Sequence, residues 1–269
     1  MQSANSAADT GDAVSNAVVN PEASLFIREI LEKALTNPVG VAPRWLADGW
    51  ALLANVLMND YLNWWNDAGP EELKKADNAV QNALALNSEL ALAHHAKGLI
   101  YRARRQPDLA RKAFRKAKQL DSGFARAHAQ FGNQKAALAR EDEVQDPLDK
   151  ATVLSPRHPA SGYFYWGKGR AYFQQQDWPN AIDLLKKSVE ALPTVWYNRC
   201  YLATAQNSAG DAANKAAAQQ TMRDFINDPR FDQATLRRIV PSLQPDPNDP
   251  PTVAATRKTV RDFVQPLLP

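Results

Sequence analysis

The chain has 269 residues, of which 32 are basic and 29 acidic, giving a formal net charge of +3. This near balance gives the whole molecule no obvious character of a polyanion binder, so any electrostatic preference must be local. The single cysteine, Cys200, excludes an intramolecular disulfide framework and a cysteine-based zinc cluster. We find no stretch of membrane-spanning length and no secretory signal in the first twenty residues, which predicts a cytoplasmic protein, or a periplasmic one if the sequence is a mature form or fragment.

Composition changes twice along the chain. Residues 1–20 are small and polar without a periodic apolar face, which predicts a disordered N-terminal lead-in. Residues 21–229 are rich in alanine, with apolar residues three and four apart and turn-forming residues at intervals of about fifteen. This pattern predicts a domain of short paired helices over 21–229.

The periodicity also predicts where the helices lie. In chain order they are expected at residues 25–35, 43–64, 71–86, 90–104, 107–120, 124–139, 160–175, 178–191, 195–208 and 212–226, with one more ending near Leu154. Pro107 and Pro179 stand where second helices of pairs begin, a position that tolerates proline. Asp177 and Asp211 precede second helices, where a carboxylate can accept unpaired backbone N–H groups.

One helix is interrupted by a proline in the sequence. Pro147 falls where the interior of a second helix is expected, so we expect this helix to start late, with Asp146 as its N-cap, or to be kinked. The acidic run Glu141–Glu143 precedes it. Because the alternating ligand spacing of a calcium loop is absent, this run is interpreted as a solvated loop.

Prolines dominate the sequence after Pro229. They are Pro241, Pro245, Pro247, Pro250 and Pro251. They predict a stiff connector within residues 230–269, followed by a helix over Val253–Val264. We expect this helix to cap the last repeat; the alternative is a tail that docks on a partner or back into a groove.

A spacing of thirty-four residues runs through the middle of the chain. It relates Ala83, Ala117 and Ala151, and again Leu86, Leu120 and Leu154. The residues Gly98, Tyr101, Ala110 and Phe114 match the Gly-x-x-Tyr and Ala-x-x-x-Phe parts of a helix–turn–helix repeat of that length.

These motifs resemble those of tetratricopeptide repeat (TPR) proteins over roughly Ser24–Pro229, most closely at Ala91–Ser122 and Gly162–Pro193. The segments Leu154–Pro159 and Gly162–Gly167 are similar to C-terminal repeat arrays of bacterial adenylate cyclase-like and winged-helix regulatory proteins. The resemblance implies an all-α fold, a right-handed superhelical solenoid of antiparallel helix pairs.

The resemblance also implies that the first helices of successive pairs line a concave groove. The predicted groove residues are His95, Arg102, Arg126, Asn133, Tyr163, Trp166, Arg170, Phe173 and Tyr197. Cys200 and Thr204 share the groove-facing positions of the last pair with Tyr197. Arginine and aromatic side chains suit an extended peptide partner, whereas the alternative for each single aromatic is packing between helices.

We therefore expect a non-enzymatic scaffold that binds a protein or peptide partner and needs no cofactor, because phosphate-loop, zinc-protease and nucleophile-elbow motifs are absent. Two alternatives stay open: an accessory region of a signalling enzyme or transcription regulator, and nucleic-acid binding through the basic segment Arg102–Lys118. His94 and His128 occupy equivalent positions in adjacent repeats. Two histidines without a third ligand favour hydrogen-bonded packing over a metal site.

Overall fold

The structure, a computed structural model, describes residues 20–38, 40–66, 68–137, 145–154, 161–247 and 249–268. These residues form thirteen α-helices and no strand. Residues 1–19 of the expected lead-in (1–20) and the acidic run (141–143) lie outside the described residues. The all-α prediction is confirmed.

The helices are numbered in chain order. They are α1 (Pro21–Thr36), α2 (Pro43–Asn63), α3 (Pro70–Leu86), α4 (Ala91–Ala103), α5 (Pro107–Leu120), α6 (Ala125–Ala137), α7 (Gln145–Leu154), α8 (Ser161–Gln174), α9 (Trp178–Ala191), α10 (Trp196–Ala209), α11 (Ala212–Ile226), α12 (Gln233–Ser242) and α13 (Pro251–Val264). A 3₁₀ turn over Gln265–Leu267 follows α13. The predicted bounds of α5, α9 and α11 are confirmed at both ends.

Side-chain caps explain several helix starts. Asp177 accepts a hydrogen bond from the backbone N–H of Asn180 at 3.3 Å, and Asp211 accepts one from that of Asn214 at 2.9 Å. Both caps were predicted, because a carboxylate stabilises the N–H groups that the first turn leaves unpaired. Helix α1 begins four residues before its predicted start, since Asn20 caps it in the same way.

Pro147 and Pro241 lie beyond the first two positions of their helices. Pro147 occupies the first turn of α7, which begins at Gln145, two residues before the predicted start; its missing N–H has no intrahelical partner there in any case. Pro241 lies near the end of α12, a helix that the sequence did not predict, because only a connector was expected before Val253. Asp232 caps α12, and the buried side chains of Leu236 and Ile239 hold it in place.

The chain divides into two compact units. Unit 1 contains the described residues up to Phe131 together with Leu154, and unit 2 contains Gly132–Val153 and the described residues from Ser161 onwards. In unit 1, α2 packs on α3 and α4 packs on α5, while α2 also contacts α4. We call α2 and α4 first helices and α3 and α5 second helices. The first helix α2 therefore contacts both its own partner and the next first helix.

Unit 2 repeats this arrangement and contains further helices. The first helices are α8 and α10, which contact each other, and the second helices are α9 and α11. Helix α13 packs against the two first helices, α10 and α8. It buries Val253, Thr256, Val260 and Val264, spaced three or four residues apart and so aligned on one helix face.

Small residues allow the paired helices to approach closely. The alanines of the thirty-four-residue spacing, Ala83, Ala117 and Ala151, are all fully buried. A Cβ atom at Gly98 of α4 would lie 2.4 Å from the ring of Phe114 on α5. The ring therefore occupies the space that only glycine leaves open.

Helix α1 is attached to α2 through a buried polar cluster. Ser24 donates a hydrogen bond to the carboxylate of Asp60 at 2.5 Å, and both residues are fully buried. Burial raises the pKa of Asp60 from 3.8 to about 6, against the hydrogen bonds from Ser24 and Asn66 and the attraction of Arg28, while Glu72 raises it further. Arg28 joins α1 to α3 by its ion pair with Glu72 at 3.2 Å.

We predict that Gly98→Ala destabilises the protein by roughly 1–3 kcal/mol, because the added methyl group must displace the buried Phe114 ring. Gly49→Ala in α2 is the matched control. There the new Cβ would meet only the end of the flexible Leu35 side chain at 3.2 Å. Both variants gain the higher helix propensity of alanine. Urea denaturation compares them, and an equal loss of stability in both would contradict the role of Gly98.

We predict that Asp60→Asn gains stability relative to wild type as pH rises from 4 to 7.5, by up to ~3 kcal/mol. The folded-state pKa of Asp60, about 6, lies above its unfolded value of 3.8. Its contribution to stability is therefore full below pH 3.8 and is lost as pH rises through 6. Asparagine stays neutral and still accepts the Ser24 hydrogen bond. Urea denaturation at each pH measures the difference, and a pH-independent difference would refute the prediction.

Candidate partner-binding surface

The nine predicted groove residues fall in both units. Unit 1 contains His95, Arg102 and Arg126, and unit 2 contains Asn133, Tyr163, Trp166, Arg170, Phe173 and Tyr197. Their binding role stays a prediction. The structure separates them by accessibility: Arg102, Trp166, Arg170 and Tyr197 are partly exposed, and the other five are buried.

In unit 2, Trp166 links the two first helices. Its ring lies 4.9 Å from that of Tyr197 on α10, edge to face, and 6.3 Å from that of Tyr201 on the same helix. Arg170, one turn along α8, places its guanidinium carbon 5.2 Å from the Trp166 ring centre. Both the edge-to-face aromatic contact and the stacking of the guanidinium on the ring are attractive. Together they restrict the orientation of the Trp166 side chain.

We define the α8–α10 surface as the faces of these two helices that carry Tyr163, Trp166, Arg170 and Tyr197. Below it, Phe173 is only 3% exposed and packs against Tyr201 at 5.4 Å and Trp178 at 5.3 Å between ring centres. Phe173 therefore serves the core that supports the surface.

Two of the buried polar atoms of unit 2 that have no hydrogen-bond partner in the described structure lie near this surface. They are Nε1 of Trp166 and Oδ1 of Asn133. A Cβ atom at Gly167 of α8 would lie 2.0 Å from that Asn133 oxygen, so the amide packs against the α8 backbone. An unpaired buried donor or acceptor carries a desolvation cost that a hydrogen-bonding ligand would remove.

Sequence reasoning missed three aromatic residues of this region: Trp178, Trp196 and Tyr201. Trp196 contacts Tyr197 at 5.5 Å between ring centres, and Tyr201 contacts both Trp166 and Phe173. The four-residue spacing of Tyr197 and Tyr201 places them on one helix face, a signal present in the sequence.

In unit 1, His95 is fully buried between aromatic rings. Phe114 and Phe124 lie 5.5 and 5.1 Å away between ring centres. Asn55 uses its NH₂ group to donate to the carbonyls of Ala51 and Leu92, so its Oδ1 accepts the hydrogen bond from His95 Nδ1 at 2.6 Å. The proton of the neutral imidazole is therefore on Nδ1.

The surroundings of His95 keep it uncharged. Burial, and then the positive charges of Arg126 and Arg102, lower its pKa well below the usual 6.5. Arg102 donates to Gln130 at 3.1 Å. With its ring enclosed in this way, His95 holds α4 against α2 through Asn55 and presents no group to solvent.

His94 and His128 make the same local hydrogen bond. His94 donates from Nε2 to the Ser88 carbonyl at 2.9 Å, and His128 donates to the Ser122 carbonyl at 3.1 Å. Arg199 likewise donates to the carbonyl of Pro193, six residues before it, at 2.5 Å. These side chains connect α4, α6 and α10 to the turns that precede them. Within the described residues, no group of three or more His, Cys, Asp or Glu could hold a metal ion.

Several cations of the basic segment are engaged within unit 1. Arg104 pairs with Asp77 at 2.7 Å and Arg111 with Asp108 at 3.4 Å. Lys118 lies 4.6 Å from the Phe131 ring centre. These contacts neutralise or cover part of the charge that a phosphate backbone would need.

No helix among the described residues combines the length and apolarity needed to cross a bilayer. Cys200 on α10 is fully buried, and burial raises the pKa of its thiol to about 12.

No protein-family model matches the sequence, and no curated protein matches it. Solved structures do match the fold. PilF of Pseudomonas aeruginosa is 18% identical, with a TM-score of 0.55, over 84% of this chain and 91% of PilF. PilW, a type IV pilus biogenesis factor, is 18% identical with a TM-score of 0.55, over 80% of this chain and 92% of PilW.

The Cut9–Hcn1 hetero-tetramer of the APC/C gives a TM-score of 0.61 at 14% identity, over 89% of this chain and 44% of the matched chain. PilF, PilW and Cut9 are TPR proteins. This chain has the TPR fold. The predicted fold class, an all-α solenoid of antiparallel helix pairs, is thereby confirmed. At these identities the likeness concerns the fold alone.

Proposed function

We propose that this chain is a non-enzymatic TPR scaffold that binds a protein or peptide partner at the α8–α10 surface. The observation that carries the proposal is the cluster of Trp166, Tyr197 and Arg170 across two adjacent first helices. Tryptophan, tyrosine and arginine are the residues that most often dominate the energy of protein interfaces.

The fold supports the same function. A helical repeat offers a preformed surface, so its side chains lose little further freedom when a partner binds. The partly exposed Arg170 provides a planar donor group for a carboxylate of the partner, and Trp166 beneath it provides apolar area. We infer from this chemistry that the partner presents an acidic group beside an apolar side chain.

We predict that Arg170→Glu reduces partner binding at least tenfold, because it reverses the charge that meets the partner's acidic group and removes the stacking on Trp166. The purified full chain, carrying an affinity tag, is incubated with an extract of the native cell and cross-linked. Bound proteins are then quantified by mass spectrometry.

Lys186→Glu is the matched control, because it makes the same charge change at an exposed position of the second helix α9. It is expected to retain the wild-type partner. Circular dichroism confirms that both variants are helical. A partner recovered equally by wild type and Arg170→Glu would disprove the binding site.

A further inference from the structure

Helix α13 packs against the first helices α8 and α10 of unit 2. The second helix α9 also contacts both of them. A helix with its side chains is about 10 Å across, so two helices cannot occupy the same groove between α8 and α10. Helix α13 therefore lies in the groove on the side opposite α9, where a TPR array carries its concave face.

The burial of α10 supports this position. Nine consecutive residues, Asn198–Gln206, are buried, which encloses the helix on every side. Among them are Cys200 and Thr204, which the sequence predicted to line the groove together with Tyr197. They are 0% and 1% exposed. Of the helices that contact α10, three belong to the repeats, namely α8, α9 and α11, and α13 is the additional one.

The sequence of α13 is that of an amphipathic helix with one narrow apolar side. Its buried residues are Val253, Thr256, Val260 and Val264, whereas Lys258, Thr259 and Asp262 are exposed. A helix with a single stripe of short side chains rests on a surface and is not part of a layer packed on both faces.

Polar contacts link α13 to the connector that precedes it. Arg261 donates to Gln244 at 2.8 Å, and Arg257 pairs with Asp249 at 3.1 Å. Prolines make this connector stiff. Helix α13 therefore stays close to α8 and α10 when it is not docked on them. A short tether of this kind gives the helix an effective concentration of the order of millimolar at its own docking surface.

One buried group lacks a partner while α13 is docked. Nε1 of Trp166, in the side chain that bridges α8 and α10, has no acceptor in the described structure. An occupant that carries an oxygen acceptor at this point would gain a hydrogen bond that α13 does not supply.

We propose that the groove between α8 and α10 is a docking site for an amphipathic helix, and that α13 is its tethered occupant, which a partner helix displaces. This proposal rests on the function proposed above and names its ligand class. The partner is a helix with short apolar side chains at positions i, i+3, i+7 and i+11, flanked by a hydrogen-bond acceptor for Trp166.

The test uses the full chain with Val260→Asp, which places a charge on the buried side of α13. Thr259→Asp is the matched control, since it places the same charge at an adjacent exposed position. Hydrogen exchange is followed by mass spectrometry. A labelled synthetic peptide of residues 249–269 is titrated against wild type and both variants by fluorescence anisotropy.

We expect Val260→Asp to lose exchange protection in α13 while α8 and α10 keep theirs, and to bind the peptide at least tenfold more tightly than wild type and Thr259→Asp. In wild type, we expect the α13 amides to exchange at least tenfold faster than those of α10. Loss of protection in α8 and α10 together with α13, or equal peptide binding by all three proteins, would overturn the proposal.

The same variants distinguish failure of this proposal from failure of the proposed function. The peptide titration tests the docking site without any cellular partner. If Val260→Asp binds the peptide but captures no protein from the native cell, the proposed function fails and the docking site stands. If wild type and Val260→Asp capture the same partner in equal amounts, displacement of α13 is refuted and the proposed function stands.

Discussion

The close approach of paired helices is the constraint on which the rest of this structure depends. It requires alanine or glycine wherever two helix backbones meet, and the fully buried Ala83, Ala117 and Ala151 show how regularly the chain satisfies it. Gly98 is the limiting case, because the ring of Phe114 fills the place of its side chain. Tight pairing fixes the separation of first helices, and that separation brings Trp166 of α8 within contact of Tyr197 on α10.

Many helix boundaries could be predicted from residues close to them in the sequence. Pro107, Asp177 and Asp211 mark helix starts because a helix start leaves N–H groups unpaired wherever it occurs, so sequence alone locates them. Helix α12 was missed because proline was treated as a breaker throughout its segment, although Pro241 falls in the last turn and Leu236 and Ile239 secure the rest. The cost of a proline depends on its position in the helix, which composition does not reveal.

The candidate surface was predicted less completely than the helices. Which of its residues are exposed depends on contacts between distant parts of the chain. The sequence placed Trp166, Arg170 and Tyr197 on first helices, and periodicity suffices for that. Helix α10 is contacted by α13, which lies some fifty residues later in the chain, and the enclosure of His95 depends on Asn55, forty residues earlier. A single sequence contains no local signal for either contact.

The burial of Cys200 has a chemical consequence for the whole chain. Its sulfur is the only thiol in the sequence, and at neutral pH it stays protonated and shielded from oxidants. No covalent link can form or break within the folded chain as redox conditions change. The described helices are thus held together by noncovalent packing, without a disulfide whose state could change.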